Sequence, residues 1–326
     1  MAHNVYILPF KRNQLKYMHQ ALFSPPIETL ITAINNNQLE GFPFMQADTV
    51  RKYLAPSPAT SKGGMKRPRA GIRSTRKVTK QEKEKEQLVM IIPVEDNEKD
   101  EEHEGVNNMF CFAALADKKN GTFYTDATGA FPQRSIDGHQ YYFVAYDHDT
   151  NYIFAEPIKD VTDASIIEAF KKIFEELKFK GHKPTFNVTD NQATVPIKEY
   201  LKSEDCDWQF VEPTNHRVNA AERAIQTFKN HFIRGLCTTD VNWPIQLWHN
   251  LTEQATITLN TLRRSRIDPS KSAYHQLHGK RYDWNAHPLA PPGSRAVILE
   301  GPDNRTSWGA RGTDPSALYV TRVHTY

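Results

Sequence analysis

Thr122-Phe123-Tyr124-Thr125-Asp126-Ala127-Thr128-Gly129 is the stretch on which the reading of this chain turns. Its β-branched and aromatic residues predict a strand over Thr122–Phe131. Asp126 sits inside that strand. Burying an unpaired carboxylate costs on the order of several kcal/mol, so such an acid persists where a cation or a partner neutralises it. Outward from it, Gln140–Tyr146 and Tyr152–Pro157 read as strands, with a turn at Asp147–Asn151. Asp163–Phe179 places Ile166, Phe170, Ile173, Phe174 and Leu177 on one stripe with Lys and Glu opposite, the pattern of an amphipathic helix. Gly181 and Pro184 stop it. Phe186–Thr189 is a short strand, Val195–Leu201 a helix and Asp207–Val211 a further strand. Upstream, Phe110–Ala116 reads as a strand as well. This order predicts an α/β fold with one mixed sheet.

Two longer helices follow. Residues 216–236 carry Ala221, Ala224, Ile225, Phe228 and Phe232 at helical spacing. Trp243–Leu262 carries Trp248, Leu251, Ala255, Leu259 and Leu262, with Asn242 as the expected N-cap and Pro244 in the first turn. Past Pro288–Pro292 a short β-rich tail is expected, with strands at Arg295–Leu299 and Ala317–Thr321.

The flanks differ in composition. Residues 1–60 read as a small helical module, with Ile27, Leu30, Ile31 and Ile34 on one face and a second short helix over Ala47–Leu54, ended by Pro56 and Pro58. Residues 61–105 read as a linker. Ser61–Gln81 holds eight Lys/Arg and no acid, and Glu95–Glu104 holds seven Asp/Glu and one Lys. Such blocks bury too little apolar area to offset ordering entropy. The apolar run Leu88–Val94 between them fits a short strand. The basic block fits a solvated tether, or a DNA-phosphate contact or nuclear-import signal. The remaining boundaries are a core over 106–265 and an extension over 266–326.

The chain has 326 residues and a net charge of only +3, so its average charge does not mark a nucleic-acid binder. Cys111, Cys206 and Cys237 form no CxxC pair and no disulfide framework. With no apolar leader and no long apolar run, an intracellular site and no membrane partner are expected. His19 has no CxxC partner, and His278 and His287 fall in apparent loops, so no zinc site is recognised.

Three acids share a pattern: Asp126 within a strand, Asp190 directly after one, and Glu222 near the start of a late helix. Any one of them has an ordinary reading, as a solvated strand residue, a turn residue or a helix-face acid. Three strings raise them above that: Tyr124-Thr125-Asp126-Ala127-Thr128-Gly129, Thr189-Asp190-Asn191 and Asn219-Ala220-Ala221-Glu222-Arg223. With them the chain resembles the catalytic core of retroviral and long-terminal-repeat retrotransposon integrases, the DDE branch of the ribonuclease H-like fold, best over about residues 115–280.

The resemblance implies that Asp126, Asp190 and Glu222 are the catalytic residues and hold two Mg²⁺ or Mn²⁺ ions. It implies a reaction that joins element DNA 3′ ends to target DNA, and work in the nucleus. It implies that Asn191, His216, Arg217, Gln226, Lys229, Arg263 and Arg264 contact DNA, and that the protein forms a homo-oligomer. Gln226 and Lys229 lie four and seven residues after Glu222, on the same helix face. Arg266, Lys280 and Arg281 extend the basic patch; a solvated helix end fits the same residues. Some positions depart from the family. Gln192 and Asn219 stand where the family carries Gly, the zinc module before the core is missing, and Ser307-Trp308-Gly309 opens a familiar segment that soon stops. Reverse transcriptase and protease segments are missing, so the chain reads as one piece of a polyprotein. Two other readings stay open: a decayed or domesticated DNA-binding copy, and a ribonuclease H-type nuclease drawing its acid from Glu168.

Overall fold

A computed structural model describes residues 5–65, 121–189, 194–210 and 220–294, together with the backbone of two short strands, Ile298–Leu299 and Gly312–Thr313. The expected strands at Phe110–Ala116, Leu88–Val94 and Ala317–Thr321 lie outside the described residues, as do both charge blocks beyond position 65.

The sheet has five strands: β1 (Thr122–Ala127), β2 (Tyr141–Asp147), β3 (Ile153–Ile158), β4 (Phe186–Thr189) and β5 (Asp207–Phe210), in the order β3-β2-β1-β4-β5. β1–β2 and β2–β3 pair antiparallel, while β1–β4 and β4–β5 pair parallel. The parallel pairs need crossovers, supplied by α5 (Asp163–Phe179) and α6 (Val195–Ser203). Three antiparallel strands followed by two parallel ones make the ribonuclease H-like α/β arrangement that the sequence led us to expect.

Alternation along each strand sends side chains to two faces. Phe123, Phe143, Ala145 and Phe154 pack with Phe170, Ile173, Phe174 and Leu177 of α5 and with Ile197 and Leu201 of α6. Tyr124, Tyr142, Val144, Tyr146 and Ile153 pack on the other face. There they meet Ala221, Ala224, Ile225, Phe228 and Phe232 of α7 (Ala220–Leu236) and Ala255 and Leu259 of α8 (Thr252–Thr261). The apolar stripe read from α5 is the buried one.

Some sequence expectations need correction. The first strand stops at Ala127: the Thr128 amide still donates to the Tyr142 carbonyl at 2.8 Å, but the return bond from the Tyr142 amide goes to the Thr128 hydroxyl, at 3.0 Å. The helix expected over Trp243–Leu262 is instead a 3-10 helix, Ile245–Leu251, that passes into α8. The cause is lateral bonding. The Gln246 carbonyl accepts from the Ile136 amide at 3.0 Å, and the Trp248 indole donates to the Gln133 carbonyl at 2.9 Å. Pro244, not Asn242, precedes the first helical residue. His278 is no loop residue: it closes α9 (Ala273–His278) and stacks on Tyr274 at 4.0 Å.

The N-terminal helices α1 (Lys11–Ala21), α2 (Ile27–Asn35) and α3 (Ala47–Tyr53) bury Leu15, Met18, Leu22, Leu30 and Val50 together, while α4 (Pro58–Gly64) packs on α7, its Gly63 against Asn230 and Arg234. Leu262, Tyr282, Trp284 and Leu289, from the far end of the chain, complete that core. Helix α4 extends past position 60, into the stretch read as linker. The buried Gln254 of α8 donates to the carbonyls of Ala21 and Ala290, at 2.9 and 2.8 Å. Helical module and extension therefore pack on the sheet domain as one compact unit. No described helix is long and apolar enough to cross a membrane.

Candidate active site

Asp126 lies on β1 two residues after Tyr124, and so on the sheet face that α7 covers. It is only partly exposed. Its cross-strand neighbour is Val144, which is fully buried. Glu222 is in the first turn of α7, next to the buried Ala221, and is exposed. An acid and the helix that carries a second acid thus share one side of the sheet. Asp190 and Asn191 lie outside the described residues, as do His216 and Arg217. Thr189, directly before Asp190 in sequence, pairs in parallel with Thr125, directly before Asp126. Thr125 also donates to the buried Asn187 at 3.2 Å, which ties β1 to β4 beside Asp126.

The surface of α7 divides into two flanks around its buried stripe. Glu222, Gln226 and Lys229 recur at helical spacing and all are exposed, so the face expected for DNA contact is open. On the other flank, Arg223 and Thr227 line a cavity of about 200 Å³ with Tyr146, Asn151, Arg263 and Arg266. The Arg263 guanidinium is committed there. Its Nε donates to the Asn151 carbonyl at 3.1 Å and its Nη2 to the Asn151 side chain at 2.6 Å. The Asn151 amide in turn donates to the Arg264 carbonyl at 2.6 Å. Arg264 itself reaches Asn36 of the helical module. Of the two arginines, Arg263 holds the β2–β3 turn, and Arg264 leans on the N-terminal helices. Burial lowers the Arg263 pKa from its usual range. Arg266 and Arg263 both stand over the Tyr146 ring, at 5.7 and 6.0 Å.

Glu168, the acid that a nuclease reading needs, lies on α5, which covers the opposite face. It is exposed and paired with Lys172 at 3.2 Å.

One grouping escaped the sequence reading. Asp137, His139 and His249 bring one ligand atom each within 4.8 Å of one another. The two histidines are far apart in sequence and belong to no short motif; only the hairpin folding onto the 3-10 helix unites them.

No family model and no curated protein matches the chain. Among solved structures, the HTLV-2 integrase catalytic core domain in complex with magnesium is similar in its trimeric form at 21% identity and a TM-score of 0.37, over 49% of this chain and 96% of that one. Its dimeric form gives 21% and 0.36, over 49% and 95%. The BIV integrase catalytic core domain gives 14% and 0.36, over 48% and 93%. Strand order and register, rather than these distant likenesses, carry the description of the fold.

Proposed function

We propose that this chain is a metal-dependent polynucleotidyl transferase of integrase type, which joins element DNA 3′ ends to target DNA. The observation that carries the reading is the placement of acids. Asp126 is on the sheet face beneath α7, Glu222 opens α7, and Asp190 follows the strand residue paired beside Asp126's own neighbour. Glu168 is on the wrong face and already ion-paired, which disfavours the nuclease alternative.

The donor set suits Mg²⁺ or Mn²⁺. Such ions take oxygen ligands and keep waters, and a set made only of carboxylates offers no softer atom. Asp126, Asp190 and Glu222 would hold them. When bound, the ions polarise the scissile phosphate and stabilise both the attacking and the leaving oxygen. Lys229 and Gln226 would hold the DNA backbone along the Glu222 face, which fixes the 3′-hydroxyl in line. In the reaction a new P–O bond forms to the attacking 3′ oxygen and the target's P–O3′ bond breaks. The departing 3′ oxygen takes a proton, so one phosphodiester is exchanged for another. Joining two ends together calls for at least a dimer, and the work would fall in the nucleus.

The test is a joining assay with purified protein, a labelled element end and plasmid target in Mn²⁺. Joined product that disappears with chelator or in Asp126→Asn supports the reading. A wild-type protein that joins no DNA replaces it with a decayed, DNA-binding copy.

A further inference from the structure

Asp137 and His139 flank Gly138 in the connection between β1 and β2, and His249 projects from the 3-10 helix Ile245–Leu251. His249 Nε2 lies 2.6 Å from Asp137 Oδ2, and the His139 and His249 rings are 5.3 Å apart. The His249 side chain is 7% exposed, while that of Asp137 is 61% exposed.

This connection is fixed in place. The Ser135 and Gly138 amides donate to the carbonyls of His139 and Ser135, at 2.8 and 3.0 Å, around a Gly138 with φ of +86°. A side chain is strained at that φ, so glycine suits the turn that places Asp137 and His139 side by side. The Ile136 amide and the Gln133 carbonyl bond the connection to the 3-10 helix. Ser135 Oγ accepts from the His139 amide at 2.9 Å and meets His139 Nδ1 at 3.2 Å, which leaves Nε2 as the ring's available ligand atom. Such an outer hydrogen bond orients metal-binding histidines. An Asp–His hydrogen bond alone would account for Asp137 and His249. It would not account for a second imidazole held beside them.

We propose that Asp137, His139 and His249 bind one divalent transition-metal ion, Zn²⁺ first among them, with water as the fourth ligand. Two imidazoles and a carboxylate suit zinc, copper or nickel, whereas Mg²⁺ prefers oxygen alone. At zinc bond lengths, tetrahedral ligand atoms stand about 3.3–3.5 Å apart. The present spacings, from 2.6 Å up to 4.8 Å, bracket that value, so loading asks for small side-chain rotations. Binding takes the Nε2 lone pair of a neutral His249, so the hydrogen that faces Asp137 moves to Nδ1 and the carboxylate turns to the ion. The bound ion would fasten the hairpin to the helix that leads into α8, and would stabilise the fold by mass action. None of these residues belongs to the carboxylate site, so the inference stands apart from the reading of that site.

The full chain, stripped of metal, is titrated with Co²⁺ as a visible probe and then with Zn²⁺. One equivalent of tetrahedral cobalt band, displaced by Zn²⁺ but not by Mg²⁺, is expected, with a zinc-dependent rise in Tm. Asp137→Asn and His139→Gln should lose both signals while melting, without metal, close to wild type. Ser135→Ala should bind zinc about tenfold more weakly. Asp126→Asn should keep the cobalt band. A wild-type protein with no band, or a band that survives both Asp137→Asn and His139→Gln, overturns the proposal.

Discussion

The ring of Phe23, at the end of α1, occupies the space that a β-carbon on Gly235 of α7 would fill. Phe23 is fully buried and stacks on His231 at 5.2 Å. The helical module is thus keyed into the helix that carries Glu222. Gly235→Ala should destabilise the protein by about 1–3 kcal/mol, the usual cost of overpacking, despite the better helix propensity of alanine. Chemical denaturation measures it; a variant as stable as wild type would mean that Phe23 is free to move.

His231 sits in the same seam. Its Nε2 meets the Thr258 hydroxyl at 2.9 Å, and burial, followed by the nearby Arg234, pushes its pKa from 6.5 down to about 3. The folded state therefore holds it neutral while the unfolded chain protonates it below about 6.5. Its contribution is intact above that pH and is lost as pH falls from about 6.5 toward about 3. On the order of 2–3 kcal/mol should disappear from this group between pH 7 and pH 4. His231→Gln should flatten the fall of Tm across that window, and an unchanged slope would contradict the assignment.

Glu156 of β3 shows the opposite sign. It lines a cavity of about 590 Å³ with Glu176 and Glu253, and burial, opposed by Lys172 and helped by Glu176, lifts its pKa to about 7. The folded state keeps the proton between about 4.5 and 7 while the unfolded chain has lost it. Stability is therefore given up as pH rises through that window. Glu156→Gln should match wild type near pH 4 and be more stable at pH 8, by on the order of 2–3 kcal/mol. Equal Tm values at pH 8 would contradict it.

Periodicity made much of this fold legible. The stripe Phe170, Ile173, Phe174, Leu177 gave α5 its bounds, and the strand Phe186–Thr189 was read with its observed ends. What stayed hidden depends on partners distant in sequence. The 3-10 helix at Ile245–Leu251 arises because Gln133 and Ile136 draw on Trp248 and Gln246, which local propensity does not register. Leu262 read as the end of a core helix, and Tyr282 and Trp284 as parts of a separate extension, although their apolar partners lie among the first fifty-four residues. For the candidate site, only the elements that carry Asp126 and Glu222 were legible, a strand and a late helix, and the structure has both. The structural use of Arg263 was not, since a guanidinium that pins a turn and one that grips phosphate look alike in sequence.

The most direct test of the central claim compares Glu222→Gln with Glu168→Gln in the Mn²⁺ joining assay. Both changes keep size and hydrogen bonding and remove one charge. Glu222 lies on the face shared with Asp126, and Glu168 on the opposite one. Strand transfer should vanish in Glu222→Gln, while its circular dichroism stays native and most DNA affinity remains, because cations that contact phosphate dominate binding. Glu168→Gln should join DNA as wild type does. Full joining by Glu222→Gln with loss in Glu168→Gln would contradict the account and hand the site to the nuclease arrangement.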